Sequence, residues 1–228
     1  MRYESCFFDL YGTLVDVWTD ERKSSLWRGA AEFCSLCGAS YTAPELQARY
    51  LALCAEETAA LVAAHPELGP EGVEIELRGV FRRLFEAKGV RVSDERTADT
   101  ALLFRTLSFR RAPRLMKGAR QTLAELRRRG TRIFLLSNAQ SCFTMPELRR
   151  LGIAEAFDGI FLSSDFGARK PASAFVGALM NGQDAYDAAV LAADYTVACI
   201  EVTQGDPDHW YGVKFELELP KFIRMLGR

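Results

Sequence analysis

After Pro113 the sequence changes grammar, and that change limits the fold more than any other feature. From there, helical periodicity over 118–129, 145–151 and 172–180 alternates with short apolar runs over 132–136, 159–162 and 188–192. Such alternation specifies parallel strands joined by crossover helices, hence an α/β sheet. One more apolar run, 3–10, stands far upstream and is closed by Gly12, as a buried strand ending in a turn. Between these regions, from about residue 19 to 109, apolar residues recur at three- and four-residue steps over 30–36, 44–64, 73–87 and 94–107, interrupted by Gly and Pro.

The simplest assembly places the first strand in the same sheet and makes the helical block an insertion. The expected core is discontinuous, residues 1–17 and 110–228, with an all-helical domain over 18–109. Near the C-terminus, 197–202 reads as strand by propensity where the alternation calls for a helix; 210–217 reads as strand and 220–226 as a helix with Pro in its first turn.

At 228 residues, with 49% apolar and 26% charged side chains, the chain is long enough to bury a substantial core and is not a disordered composition. Lys and Arg total 29 against 30 acidic residues, so no global field draws it to nucleic acid or an anionic membrane. The longest apolar runs, 59–64 and 188–193, are far short of the ~18 residues of a membrane span. The opening residues carry no apolar signal-peptide core, so the cytoplasm is the expected location. Six Cys lie without a framework spacing, and Cys34 and Cys37 have no second pair to complete a zinc site, which predicts reduced structural thiols.

Four apolar runs stop at polar residues: at Asp9, at Ser137 and Asn138, at Ser163 to Asp165, and at Asp194. In a parallel sheet all four endings share the carboxyl edge, where open α/β folds bind ligands. Gly12 allows a sharp turn just after the strand, which leaves the Asp9 carboxylate facing the space above the sheet. A carboxylate there either pairs with a cation or serves as a nucleophile, or else belongs to a structural turn. Ser137, Asn138 and the amides of the next helix start suit an anion's oxygens. Pro171 fits the first turn of a helix and sets Lys170 just before it, at the same edge. Arg105, Arg110, Arg111 and Arg114 form the strongest local basic patch, read as a solvated hinge or an attractor of anions. No Gly-x-Ser-x-Gly elbow or Walker loop is present, and neither His65 nor His209 stands near a nucleophile motif.

Asp9-Leu-Tyr-Gly-Thr-Leu-Val-Asp16, Phe134-Leu-Leu-Ser137-Asn138, Arg169-Lys170-Pro171 with Phe175, and Asp194 stand in the order and rough spacing of four motifs. In this the chain resembles the haloacid dehalogenase (HAD) superfamily over nearly its whole length. The resemblance implies a Rossmann-like core with a C1 helical cap inserted between the first two motifs. It implies that Asp9 attacks the substrate to form a covalent aspartyl intermediate, that Ser137 holds the transferring group, and that Lys170 orients Asp9 and offsets charge. Tyr11, Gly12, Thr13 and Asn138 line the substrate position in this scheme. Mg²⁺ sits between Asp9, the Tyr11 carbonyl and Asp194, a hard cation on oxygen ligands. The partner is a small, anionic molecule, with neither nucleic acid nor membrane involved and the oligomeric state unspecified.

Two departures from the family pattern keep three functions open. Phosphatases of the family usually carry a second Asp two residues after the nucleophile as general acid and base, and here that position is Tyr11. A phenol of ordinary pKa ~10 shuttles protons poorly at neutral pH, whereas halide needs no proton to leave. The fourth motif has Leu191-Ala-Ala-Asp194 in place of a Gly-Asp start and lacks a further Asp near Ala198. Asp194 with Ser137 and Lys170 suits Mg²⁺-dependent phosphate ester hydrolysis. Tyr11 suits metal-free hydrolysis of a 2-haloacid, and the altered fourth motif suits a ligand-binding protein without catalysis.

Overall fold

The computed structural model describes residues 5–170, and the chain divides into two compact units, Met1–Gly167 and Ala168–Arg228. The elements expected over 172–180, 188–192, 197–202, 210–217 and 220–226 lie outside the described residues, as does Asp194.

In chain order the first unit runs β1 (Ser5–Phe8), β2 (Val15–Thr19), α1 (Ser24–Leu36), α2 (Ala43–Ala64), α3 (Gly69–Gly72), α4 (Leu77–Glu86), α5 (Asp94–Ser108), β3 (Phe109–Leu115), α6 (Ala119–Arg128), β4 (Arg132–Ser137), α7 (Ser141–Leu151), a 3₁₀ turn (Ala154–Ala156), β5 (Gly159–Leu162) and α8 (Ser163–Phe166). β1, β4 and β5 form one parallel sheet in that spatial order, with Phe8 opposite Leu135 and Ser137 opposite Leu162. The first strand therefore pairs with a strand beyond the helical block, and the fold is α/β with a Rossmann-like parallel core.

β4 alternates strictly: Ile133, Leu135 and Ser137 are buried and Phe134 and Leu136 only partly so, the two-residue period of a pleated strand. Ile133 and Leu135 pack with Leu123 of α6, Leu148 of α7, Leu10 and Leu162. A second core fills the helical block, where Trp27, Tyr50, Phe81 and Phe104 meet with ring centres 5.1 to 6.0 Å apart. α7 serves both cores. Its Cys142 and Phe143 enter the helical block's core, with the Phe143 ring 6.5 Å from Phe104, while Leu148 enters the sheet's core.

The structure departs from the sequence reading at the joints of the helical block. Residues 15–19 and 109–115 form an antiparallel ribbon, β2 with β3, bulged around Trp18. Three arginines of the basic patch staple this ribbon: Arg111 and Arg114 pair with Asp16, and Arg110 pairs with Asp20. These three arginines are exposed and share two carboxylates at the joint of the helical block, as in the solvated-hinge reading, whereas Arg105 is nearly buried and does not belong to that patch (below). α4 begins at Leu77 rather than near 73, because Glu76 caps it by accepting the amides of Arg78 and Gly79. α7 begins at Ser141 rather than 145, so that Pro146 lies inside it. Among the described residues no helix is long and apolar enough to cross a membrane.

Because α7 supplies both cores, Phe143→Ala is expected to lower unfolding stability by about 3–5 kcal/mol in urea titration. A loss below about 1 kcal/mol would show that the two cores are not joined through this ring.

Candidate active site

Adjacent parallel strands deliver the first two motifs to one place. Asp9 follows β1 directly and Ser137 ends β4, so both stand at the carboxyl edge of neighbouring strands. Asp9 is half-buried, Ser137 is buried and Asn138 is exposed. Beyond Asp9 the chain folds into a tight turn in which the Leu10 carbonyl accepts the amides of Thr13, Leu14 and Val15, and the Gly12 amide donates to Val15. Gly12 has φ 86°, a left-handed conformation open to glycine at no steric cost. Gly12 and Thr13 are exposed, whereas Leu10 and Leu14 anchor the turn in the sheet core.

Tyr11 leaves this turn toward α7. Its hydroxyl donates to Glu147 Oε2 at 2.8 Å and lies 3.1 Å from Thr144 Oγ1. Burial, reinforced by the Glu147 charge, pushes the phenol well above its ordinary value of 10. The other Glu147 oxygen, Oε1, accepts from Arg105 Nε at 2.7 Å, and both side chains are nearly buried.

A further network fastens the loop after β4. Gln140 donates through Nε2 to the Ile75 carbonyl at 2.8 Å and to Glu74 Oε1 at 3.1 Å, and its Oε1 accepts the Leu77 amide at 2.9 Å. Glu74 Oε2 accepts from Ser163 Oγ at 3.0 Å, and Ser163 Oγ in turn accepts the Ala139 amide at 2.9 Å. The Glu74 amide donates to the Gly167 carbonyl at 3.0 Å. An extended stretch of the helical block, 74–76, thus crosses to the sheet edge and clasps the endings of both β4 and β5.

The first unit brings together Asp9, Tyr11, Gly12, Thr13, Ser137 and Asn138. Lys170 falls in the second unit and Asp194 outside the described residues. The Asp9 carboxylate and Tyr11 carbonyl are hard oxygen donors two residues apart, the chemistry that Mg²⁺ takes. Among the described residues no group of three or more His, Cys, Asp or Glu could hold a metal by itself. Sequence reasoning missed Glu74, Gln140, Thr144 and Glu147. A polar residue within an amphipathic helix reads as solvent-facing, and nothing in the local pattern marks Glu147 or Gln140 as inward.

Gln140→Ala strands the Leu77 amide and removes one hydrogen bond from Glu74. It is expected to cost about 1–3 kcal/mol in urea unfolding and to speed hydrogen exchange over 73–80; unchanged exchange there would mean that the clasp is not formed in solution.

A search of curated proteins by sequence finds no match. Among solved structures, a HAD-hydrolase from Bacillus subtilis, solved bound to magnesium, is 18% identical over 80% of this chain and 75% of its own, with TM-score 0.40. A HAD family enzyme from Bacteroides thetaiotaomicron is 15% identical over 80% of each chain, with TM-score 0.45. The L-2-haloacid dehalogenase of Xanthobacter autotrophicus is 16% identical over 79% of this chain and 65% of its own, with TM-score 0.38. The family model for haloacid dehalogenase-like hydrolases matches residues 3–192, a range that includes Asp9, Ser137 and Lys170 and ends just before Asp194. The chain therefore belongs to the haloacid dehalogenase-like hydrolases and is an enzyme of that family.

Proposed function

We propose that this hydrolase attacks a small anionic molecule with the Asp9 carboxylate, and that the leaving group departs without a proton from position 11. The observation that carries this is the Tyr11 hydroxyl, donated to the buried Glu147 and held neutral. A phenol so engaged neither protonates a leaving group nor activates water, help that is worth ~10²–10⁴-fold where it operates. Substrates with strongly basic leaving groups are therefore turned over slowly.

The first reading is phosphate ester hydrolysis. An Asp9 oxygen attacks phosphorus and the bond to the leaving oxygen breaks, giving an aspartyl phosphate. Water then attacks the same phosphorus, releasing phosphate and restoring Asp9. Ser137, at the edge beside Asp9, donates its hydroxyl to a phosphoryl oxygen, and Asn138 and Thr13 present polar groups to the substrate. Asp9, the Tyr11 carbonyl and Asp194 are the groups that hold Mg²⁺, which when bound offsets the negative charge of a phosphoryl group. Lys170 and Asp194 enter through motif resemblance, Lys170 as a compact cation offsetting charge. Residues 18–109 act as the cap that selects the substrate.

Tyr11 favours a second reading, hydrolysis of a 2-haloacid without metal. Here Asp9 attacks C2, the carbon–halogen bond breaks, and halide leaves with the electron pair. Water then attacks the ester carbonyl carbon of Asp9 and releases a 2-hydroxyacid.

A series of aryl phosphates of graded phenol acidity, assayed with Mg²⁺ and with chelator, tests the first reading beside halide release from a 2-haloacid. Expected is chelator-sensitive turnover that falls at least ~10-fold from the most to the least acidic phenol. Chelator-insensitive halide release selects the second reading, and silence in both assays selects a ligand-binding protein without catalysis. Asp9→Asn is expected to abolish turnover; activity surviving it removes Asp9 from the mechanism.

A further inference from the structure

The carboxylate that accepts the Tyr11 hydroxyl is also half of a nearly buried ion pair whose arginine the proposed chemistry does not use. Arg105 stands in the last turn of α5, where the chain leaves the helical block for the ribbon. Its Nε donates to Glu147 Oε1 at 2.7 Å, and its guanidinium carbon lies 5.4 Å from the ring centres of Tyr11, Phe109 and Phe143. Glu147, 5% exposed on α7, uses its other oxygen to accept the Tyr11 hydroxyl at 2.8 Å. One carboxylate thus ties three parts of the chain: the exit of the helical block, α7, and the turn that carries Asp9.

A buried carboxylate is costly unless both oxygens are satisfied. Here Tyr11 and Arg105 satisfy one oxygen each, and aromatic faces close over the guanidinium. Removing any member leaves a buried polar group short of a partner, so the three act as a unit.

We propose that Glu147 and Arg105 are positioning residues for Asp9, acting through the Tyr11 hydroxyl. This rests on Asp9 being the nucleophile. Three amides converge on the Leu10 carbonyl, so the turn from Leu10 to Val15 moves as a body. Fixing the tip of the Tyr11 side chain therefore fixes the carboxylate two residues earlier. Because Arg105 holds Glu147 from the end of α5, Asp9 is aligned when the helical block is seated and is released when the block's exit shifts. Misplacement of a nucleophile by about 1 Å can cost ~10²-fold in rate. The tether governs reactivity rather than substrate affinity.

Tyr11→Phe removes one oxygen and leaves the ring packing, which makes it the primary variant. It is expected to lower kcat by about 10- to 100-fold and to leave KM within about twofold. Hydrogen exchange over 10–16 is expected to accelerate. Glu147→Gln keeps an acceptor for Tyr11 and is expected to retain more activity than Tyr11→Phe, and combining the two is expected to be no worse than Tyr11→Phe alone. Arg83→Ala, which breaks ion pairs with Glu56 and Glu57 inside the helical block, is expected to change neither kcat nor exchange over 10–16. An unchanged kcat in Tyr11→Phe, or a rise in KM alone, overturns the proposal. If the unaltered protein turns over no substrate, the Asp9 reading fails, and exchange over 10–16 still decides the tether: no acceleration in Tyr11→Phe overturns it.

Discussion

The parallel pairing of β1 with β4 is the constraint on which the rest of the first unit depends. Phe8 must meet Leu135 across the whole helical block, and everything between them must leave and return at one edge of the sheet. Closing a loop that long costs more entropy than closing a hairpin, though the cost grows only logarithmically. The β2–β3 ribbon brings the two ends of the insertion side by side, with Val15 opposite Leu115 and Thr19 opposite Phe109. Asp16 and Asp20 hold it against Arg110, Arg111 and Arg114 with exposed pairs, each of small net worth. The ribbon's greater contribution is geometric: it delivers the turn after Asp9 and the exit of α5 to the same neighbourhood.

The elements most legible in the sequence are those whose periodicity matches their burial. β4 alternates and β5 is a short apolar run, and both lie where pattern alone places them. α2 announces itself with Thr42 and Glu45, which form a reciprocal capping box ahead of a long helical run. Asp9 and Ser137 were legible for the same reason, since a polar residue ending a buried parallel strand has nowhere to go but the carboxyl edge. The ribbon was not legible. Arg110, Arg111 and Pro113 oppose a strand reading, and the ribbon forms because it is partnered and ion-paired, with Pro113 tolerated in an edge strand. The Val73 to Glu76 stretch was read as helix because Val73 and Leu77 keep helical spacing. Its hydrogen bonds go instead to Gln140, Ser163 and Gly167, a long-range choice that no local window contains.

The candidate-site residues that escaped the sequence are buried polar groups whose partners are distant in the chain. Tyr11 and Glu147 are separated by 136 positions, and Arg105 and Glu147 by 42. Buried ionic networks of this kind contribute little net stability over apolar packing, because desolvation offsets the attraction. Their effect is to fix one arrangement, since every alternative leaves a charge unpaired in a poor medium. Two such networks meet the candidate site from two parts of the helical block: Glu74 and Gln140 clasp the loop after β4, and Arg105 and Glu147 hold the turn after β1. The edge that carries Asp9 and Ser137 is thereby shaped as much by the insertion as by the sheet beneath it.

This arrangement also bears on the chemistry that position 11 permits. A carboxylate two residues after the nucleophile can swing between substrate and solvent and exchange a proton at neutral pH. Tyr11 has neither freedom, because its hydroxyl is committed to Glu147 and its ionisation is suppressed by burial and by that same charge. The substitution thus replaces a mobile proton carrier with a fixed strut. On the chemistry proposed above, a hydrolase built this way would lose leaving-group assistance and gain a rigid turn after Asp9. That exchange is favourable where the leaving group is already a stable anion and the rate depends on the approach of Asp9. On that proposal, selectivity against poor leaving groups would arise from what position 11 does not do, without any contact that recognises the leaving group itself.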